Sequence, residues 1–328
     1  MNKVVFFADT KNLDDALDNF SVKSFSGKSV PVKLHMGEPK NKHFIKPDFT
    51  KVVVDALKKI GAKPYLFDTT VSYLGKRHTV DGYKEVAKNH GFTINNIGCP
   101  VVIDDTGVNV KVEGRDYEVA DHIFNSTHIF TLSHLKGHIG TGMGGAIKNL
   151  GMGGVTKETK RKMHHGSRPV YQKDACTFCG VCAEVCPFNA IELEGESWVQ
   201  NMHKCFGCGV CVDNCKTNAI THKDADIQFV LACAAKACVE NKSVLYLNEL
   251  KRIAKSCDCD PTSNPIICPD IGYLVSDDPV AIDKASLDLI NDVKGNIFEK
   301  ENKINPYKQI KFGEQIGLGS SKYQLIEL

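Results

Sequence analysis

The sequence predicts an α/β protein: a mostly parallel sheet flanked by helices, interrupted by a small α+β two-cluster ferredoxin-like module. Three observations carry this expectation. β-rich runs alternate with apolar-periodic helices over the first hundred residues, and the same alternation resumes after residue 222. Between them lie eight cysteines in two runs of identical spacing. The α/β domain is therefore read as 1–167 and 222–328, discontinuous, with the module at 168–221.

In chain order, 4–8 and 32–36 read as strands. Residues 50–60 form an apolar-periodic helix stopped by Gly61, and 64–68 a further strand. A second helix, 80–90, stops at Gly91; 101–104 restarts a strand, with 110–119 expected to form a hairpin with it. A strand at 129–132 leads into a glycine-rich segment. Beyond the module, 224–239 is a helix and 244–247 and 271–275 are strands. A last helix starts at Asp278-Pro279, aspartate as N-cap and proline at the first helical position.

The cysteine runs are Cys176-x2-Cys179-x2-Cys182-x3-Cys186-Pro187 and Cys205-x2-Cys208-x2-Cys211-x3-Cys215. This is the bacterial pattern for two 4Fe–4S clusters, in which the fourth cysteine of each run serves the other cluster. One cluster is expected on Cys176, Cys179, Cys182 and Cys215, and the second on Cys205, Cys208, Cys211 and Cys186. Zinc sites use C-x2-C pairs or add histidines rather than repeat one tetrad. The second run ends in Cys215-Lys216, without the usual proline, which sets a positive charge beside one cluster.

A chain of 328 residues is too long to be a ferredoxin alone. Its formal net charge of +2 argues against general nucleic-acid binding, and no apolar stretch approaches a membrane span. The apolar part of the first residues is too short for a signal-peptide core, so a cytoplasmic protein of anaerobic or well-reduced metabolism is expected.

The segment 137–154 holds eight glycines in eighteen residues. Gly140-x-Gly142-x-x-Gly145 matches a dinucleotide fingerprint formally, but it lies far from the first βαβ unit and lacks the acidic residue about 20 positions on. A binding loop is the better reading. Gly140, Gly142, Gly144, Gly145 and Asn149 would offer backbone and amide groups, while His134, Lys136, His138 and Lys148 would hold an anionic group and move protons. His164 and His165 read as solvated.

Of the other cysteines, Cys99, Cys233 and Cys238 read as buried and inert. Cys257-Asp258-Cys259-Asp260 places two thiols on one side of an extended segment, an extra thiol or metal site or simply loop thiols.

The chain resembles domain-of-unknown-function family 362. The resemblance rests on Gly37-Glu38, Asp68-Thr69-Thr70 with Tyr73 and Arg77, the His134-to-His138 run, and Gly144 to Gly153. Cys257-Asp258-Cys259 and Asp270-Ile271-Gly272 through Asp283 complete it. It implies an iron–sulfur protein of anaerobic-type metabolism and names no substrate. The expected function is a ferredoxin-coupled oxidoreductase that passes electrons from a redox partner protein, through the clusters, to a small molecule or a further cofactor. The alternative is a non-catalytic electron-transfer or sensing subunit whose α/β domain docks a partner oxidoreductase.

Overall fold

The computed structural model describes residues 2–262 and 264–328. Its centre is an eight-stranded sheet, whose strands follow in this spatial order: Tyr323–Glu327, Asn2–Phe7, Gly272–Ser276, Ser243–Leu250, His128–His134, Ser29–Lys33, Lys63–Asp68 and Val101–Ile103. Gly272–Ser276 alone runs against the others, pairing antiparallel on both sides. The sheet is thus mostly parallel and its inner strands are nearly all buried, as helices on both faces require.

Side-chain alternation divides the core between the two faces. On one face Val30, Val32, Leu66, Phe130 and Leu132 pack under the helices Pro47–Lys59 and Val80–Asn89. On the other, Ile129, Phe67, Tyr246 and Leu274 pack under Ala146–Gly153, Ile227–Val239 and Pro279–Lys294. The chain winds outward from Ser29–Lys33 through Lys63–Asp68 to Val101–Ile103, then returns to place His128–His134 on the opposite side of Ser29–Lys33. The order reverses between these two strands, which pair only through Val32 with Phe130 and Lys33 with Thr131. A crevice opens beyond their carboxyl ends, the usual position for a ligand site in such sheets.

Several expectations need correction. The segment 110–119 does not pair with the fourth strand; Gly107–Val112 and Arg115–Ala120 pair with each other around Glu113-Gly114, while Val101–Ile103 joins Lys63–Asp68 in parallel. A turn with two positive-φ residues closes that hairpin locally. The strand expected at 32–36 is Ser29–Lys33, because the chain leaves the sheet to build the crevice. The helices Ile297–Asn302 and Tyr307–Gln315 and the edge strand Tyr323–Glu327 lie beyond the last expected element.

The cysteine-rich segment folds as two copies of one unit, offset by 29 residues. Phe178 and Gly207, Gly180 and Gly209, and Asn189 and Asn218 all have positive φ at matching points. Gly180 and Gly209 each precede a one-turn helix, Val181–Glu184 and Val210–Asp213. Pro169–Tyr171 pairs with Ile220–His222 and closes the segment at its base. Gly207 sits against the His164 carbonyl at the end of the helix Lys157–Gly166, where a Cβ would collide with it. Lys308 adds an ion pair to Asp213 at 2.7 Å and another to Asp226. Among the described residues no helix is long and apolar enough to cross a membrane.

Candidate functional site

The eight clustered cysteines converge in two groups. Cys176, Cys179, Cys182 and Cys215 line one cavity of about 350 Å³; Cys186, Cys205, Cys208 and Cys211 line another of about 310 Å³. Each group draws three sulfurs from one run and the fourth from the other. Backbone amides point at two of the sulfurs: Phe178 N–H at Cys176 (3.3 Å) and Ala190 N–H at Cys186 (3.3 Å). In the second group burial, together with Cys186 and Cys205, pushes the Cys208 thiol up to about 12. Burial and the same neighbours raise Cys211 as well. Four converging thiols that disfavour each other's ionisation suit a soft, multivalent metal group, since thiolate charge then meets cationic iron. The donor set is compatible with iron–sulfur binding.

The main cavity, about 1040 Å³ out to its mouth, lies in the crevice beyond the strand ends. Lys33, His35 and Asp68 come from the ends of the first two strands of the parallel run, and Ser133 and His134 from the end of His128–His134. The glycine-rich segment supplies the opposite wall. Lys136–His138 and Gly142–Gly144 form a short hairpin, and Gly145 opens the helix Ala146–Gly153. This helix start is already satisfied from within: the buried Asp283 carboxylate accepts the Ala146 and Ile147 amides at 2.7 and 3.0 Å. Gly145 has to be glycine because a Cβ would overlap that carboxylate.

The basic groups divide into paired and unpaired. Lys33 bonds Asp68 at 2.9 Å and Asn149 Oδ1 at 2.7 Å. Arg77 is fully buried, with Glu38 at 2.8 Å, Asp68 at 3.4 Å and His35 Nε2 at 2.5 Å. Tyr83 donates to Asp68 and Tyr73 to Glu38 at 2.6 Å. Burial raises the Asp68 carboxyl, but Lys33 and Arg77 outweigh it and hold the group below its ordinary range. Lys136 pairs with Asp258, and His134 Nδ1 lies 3.2 Å from the same carboxylate while Nε2 bonds the Lys251 carbonyl at 2.6 Å. Lys160 donates to Thr69 and Thr70, and burial lowers it to about 7.

Lys148 is different. Among the described residues it has no hydrogen-bond or ion-pair partner, and it faces the cavity half-buried. Desolvation, reinforced by Lys136, brings its ammonium from 10.5 to about 7. Lys33, Arg77, Lys136, Lys148 and Lys160 outnumber Asp68 and Asp258 in the cavity wall, with Glu38, Glu249 and Asp105 acting from behind it. The wall holds more basic than acidic side chains, and Lys148 faces the cavity without a counter-ion, which suits an anion.

The sequence-predicted loop residues fall into three groups. His134, Lys136, His138, Lys148, Gly140, Gly144 and Gly145 line the cavity. Asn149 lines it too, but its amide is engaged with the Lys33 and Leu132 carbonyls and Ser133, clamping the two diverging strands together. Gly142 lies off the cavity, against Ile304 and Pro306. His164 lines the cavity rather than facing solvent, its ring 4.4 Å from Phe206; burial, then Lys148, lowers it to about 4. His165 is exposed. Cys257 and Cys259 are not free thiols but a disulfide in the cavity wall. Cys99, Cys233 and Cys238 are buried. Lys33 and Lys160 were not anticipated; a lysine closing a buried apolar strand, as Lys33 does, is the signal that marks the first of them.

Cys208 and Phe206 belong to the second cysteine group and also line the main cavity. The cysteine-rich segment and the α/β domain therefore share a wall.

No curated protein matches the chain. Among solved structures, the lactate racemase apoprotein from Thermoanaerobacterium thermosaccharolyticum is similar at a TM-score of 0.41 and 12% identity, over 76% of this chain and 50% of that one. A protein from Thermotoga maritima is similar at a TM-score of 0.42 and 12% identity, over 94% of this chain and 59% of that one. The chain thus spans between half and three fifths of the length of these two structures. The profile described as Domain of unknown function (DUF362) matches residues 30–288, which takes in most of the central sheet, the cavity walls and both cysteine groups. With well over half of its residues matched, the chain belongs to the DUF362 family.

Proposed function

We propose that this protein is an iron–sulfur oxidoreductase that receives electrons from a redox partner protein and uses them on an anionic small molecule bound in the main cavity. Cys176, Cys179, Cys182 and Cys215 would hold one 4Fe–4S cluster, and Cys205, Cys208, Cys211 and Cys186 a second; bound there, they would supply one-electron chemistry. The observation that carries this reading is the double placement of Cys208, in the second cysteine group and in the cavity wall. A docking platform without chemistry would have no need of a deep cationic cavity at that point. Cys179, the exposed member of the first group, offers the entry side for a partner protein.

The chain's own residues have distinct tasks. Lys148, with no internal counter-ion, attracts and orients the anion. With its ammonium near 7 it also releases or accepts a proton at neutral pH. The Lys33–Asp68–Arg77–Glu38 network is saturated internally and holds the strand ends in place. His164 and Phe206 close the cavity on the side of the cysteine-rich segment.

The test is a screen of anionic metabolites against protein reconstituted with iron and sulfide and reduced without oxygen, followed by visible absorbance. At least one carboxylate or phosphate compound is expected to reoxidise the protein, and Lys148→Ala is expected to slow that step at least tenfold. If nothing in a broad anionic set reoxidises it, or if Lys148→Ala leaves the rate unchanged, the reading fails.

A further inference from the structure

Cys257 and Cys259 are joined by a disulfide that spans one residue, and both line the main cavity. A ring nitrogen of His138 and the two sulfurs all lie within 4.8 Å of one another. Next to that ring is Gly140, where a Cβ would sit 3.3 Å from His138 Cε1 and 3.6 Å from Cys208 Cβ. The disulfide, the His138 ring and Cys208 are thus neighbours along one stretch of wall. The intervening Asp258 is anchored by Lys136 and His134, which pins the loop between the two sulfurs.

Two sulfurs and an imidazole also suggest a metal site, but the ring is set up otherwise. His138 Nδ1 accepts the Gly140 N–H at 3.0 Å and lies 2.9 Å from Thr141 Oγ1, which donates to the Met143 carbonyl, so this nitrogen is engaged within its own loop. A metal-ligating histidine has the opposite arrangement, its second nitrogen donating to a carbonyl or carboxylate.

We propose that Cys257 and Cys259 form a redox-active dithiol–disulfide couple that stores an electron pair between the cysteine-rich segment and the anion in the cavity. This rests on the iron–sulfur reading above. In the reductive step the S–S bond breaks and two S–H bonds form. The couple takes up two electrons, which arrive singly from the two reduced 4Fe–4S centres, each oxidised by one electron, and two protons from water. The couple converts one-electron delivery into a two-electron reductant at the substrate. A ring nitrogen of His138, within 4.8 Å of the sulfurs, is placed to favour the nascent thiolate before its proton arrives.

The experiment titrates the reconstituted protein with a low-potential one-electron viologen donor and follows two signals at each step. Visible absorbance and electron paramagnetic resonance report the iron–sulfur centres; alkylation with peptide mass analysis reports Cys257 and Cys259. Wild type is expected to take up twice the electrons that Cys257→Ser or Cys259→Ser take up. Its Cys257–Cys259 peptide should pass from unlabelled to doubly labelled as the titration proceeds, while both variants keep the iron–sulfur signals. The inference is overturned if the centres reduce fully while the peptide stays unlabelled, or if the peptide is already labelled in air-oxidised protein. It is also overturned if zinc alone binds stoichiometrically at these residues and blocks labelling. Absence of any iron–sulfur signal would instead sink the reading on which it rests, along with it.

Discussion

Lys148 offers the sharpest quantitative test of the cavity. Its ammonium is displaced from 10.5 to about 7, chiefly because the wall desolvates it and secondarily because Lys136 repels it. At 1.36 kcal/mol per pH unit this is about 5 kcal/mol against the charged form, an upper bound because the side chain still meets the cavity. The sign follows from proton counting. Between pH 7 and 10.5 the unfolded chain holds a proton at this lysine that the folded chain has lost, so this group makes stability rise with pH across that window. A bound anion reverses the preference. It favours the ammonium, so affinity should be highest below pH 7 and fall by up to about tenfold per pH unit above it.

Sulfate is a suitable probe because its charge is constant over this range. Calorimetric titration from pH 6 to 9 should show affinity declining above pH 7 in wild type. In Lys148→Ala, affinity at pH 6 should be about tenfold or more lower, in keeping with the loss of a hydrogen bond to a charged group. The decline with pH should also be shallower, with Lys160, lowered to about 7, carrying what remains. Lys148→Arg should keep the affinity and flatten the pH response, since guanidinium does not titrate here. A wild-type affinity constant from pH 6 to 9, or an alanine variant with an undiminished slope, would refute the reasoning.

Two further outcomes follow from buried contacts. Arg77→Met removes the partner of Glu38 and one partner of Asp68, leaving buried carboxylates under-compensated. Urea unfolding should show a loss of about 3–5 kcal/mol, larger than for an exposed ion pair such as that of Lys76 and Glu85. Gly207→Ala introduces a Cβ at φ +76° against the His164 carbonyl. It should loosen the seating of the cysteine-rich segment, read as faster hydrogen exchange in the helix Lys157–Gly166, with strands 29–33 and 63–68 unaffected.

The sequence alone was enough for the α/β class and the broad order of its elements, because helical and strand periodicities are local and strong in Pro47–Lys59, Val80–Asn89 and Pro279–Lys294. The spacing of the eight cysteines was equally legible, since three of the four cysteines of each group lie within one short loop. The hairpin partner of Arg115–Ala120 was misread because strand pairing is not encoded in the pattern of one strand. One wall of the cavity, the glycine-rich loop with Lys148, was legible as a binding segment, but the way the other walls close around it was not. Lys33, Asp68, Arg77, Lys148, Lys160 and Asp258 are scattered over more than two hundred positions, and only the reversal of strand order gathers them at one edge of the sheet. The same holds for pairing: which lysine is neutralised and which is left facing the cavity depends on which carboxylate the fold brings within about 3 Å. Asp68 and Asp258 reach Lys33 and Lys136, and none reaches Lys148. Residue types set what chemistry was available; the tertiary contacts decided which group was left to perform it.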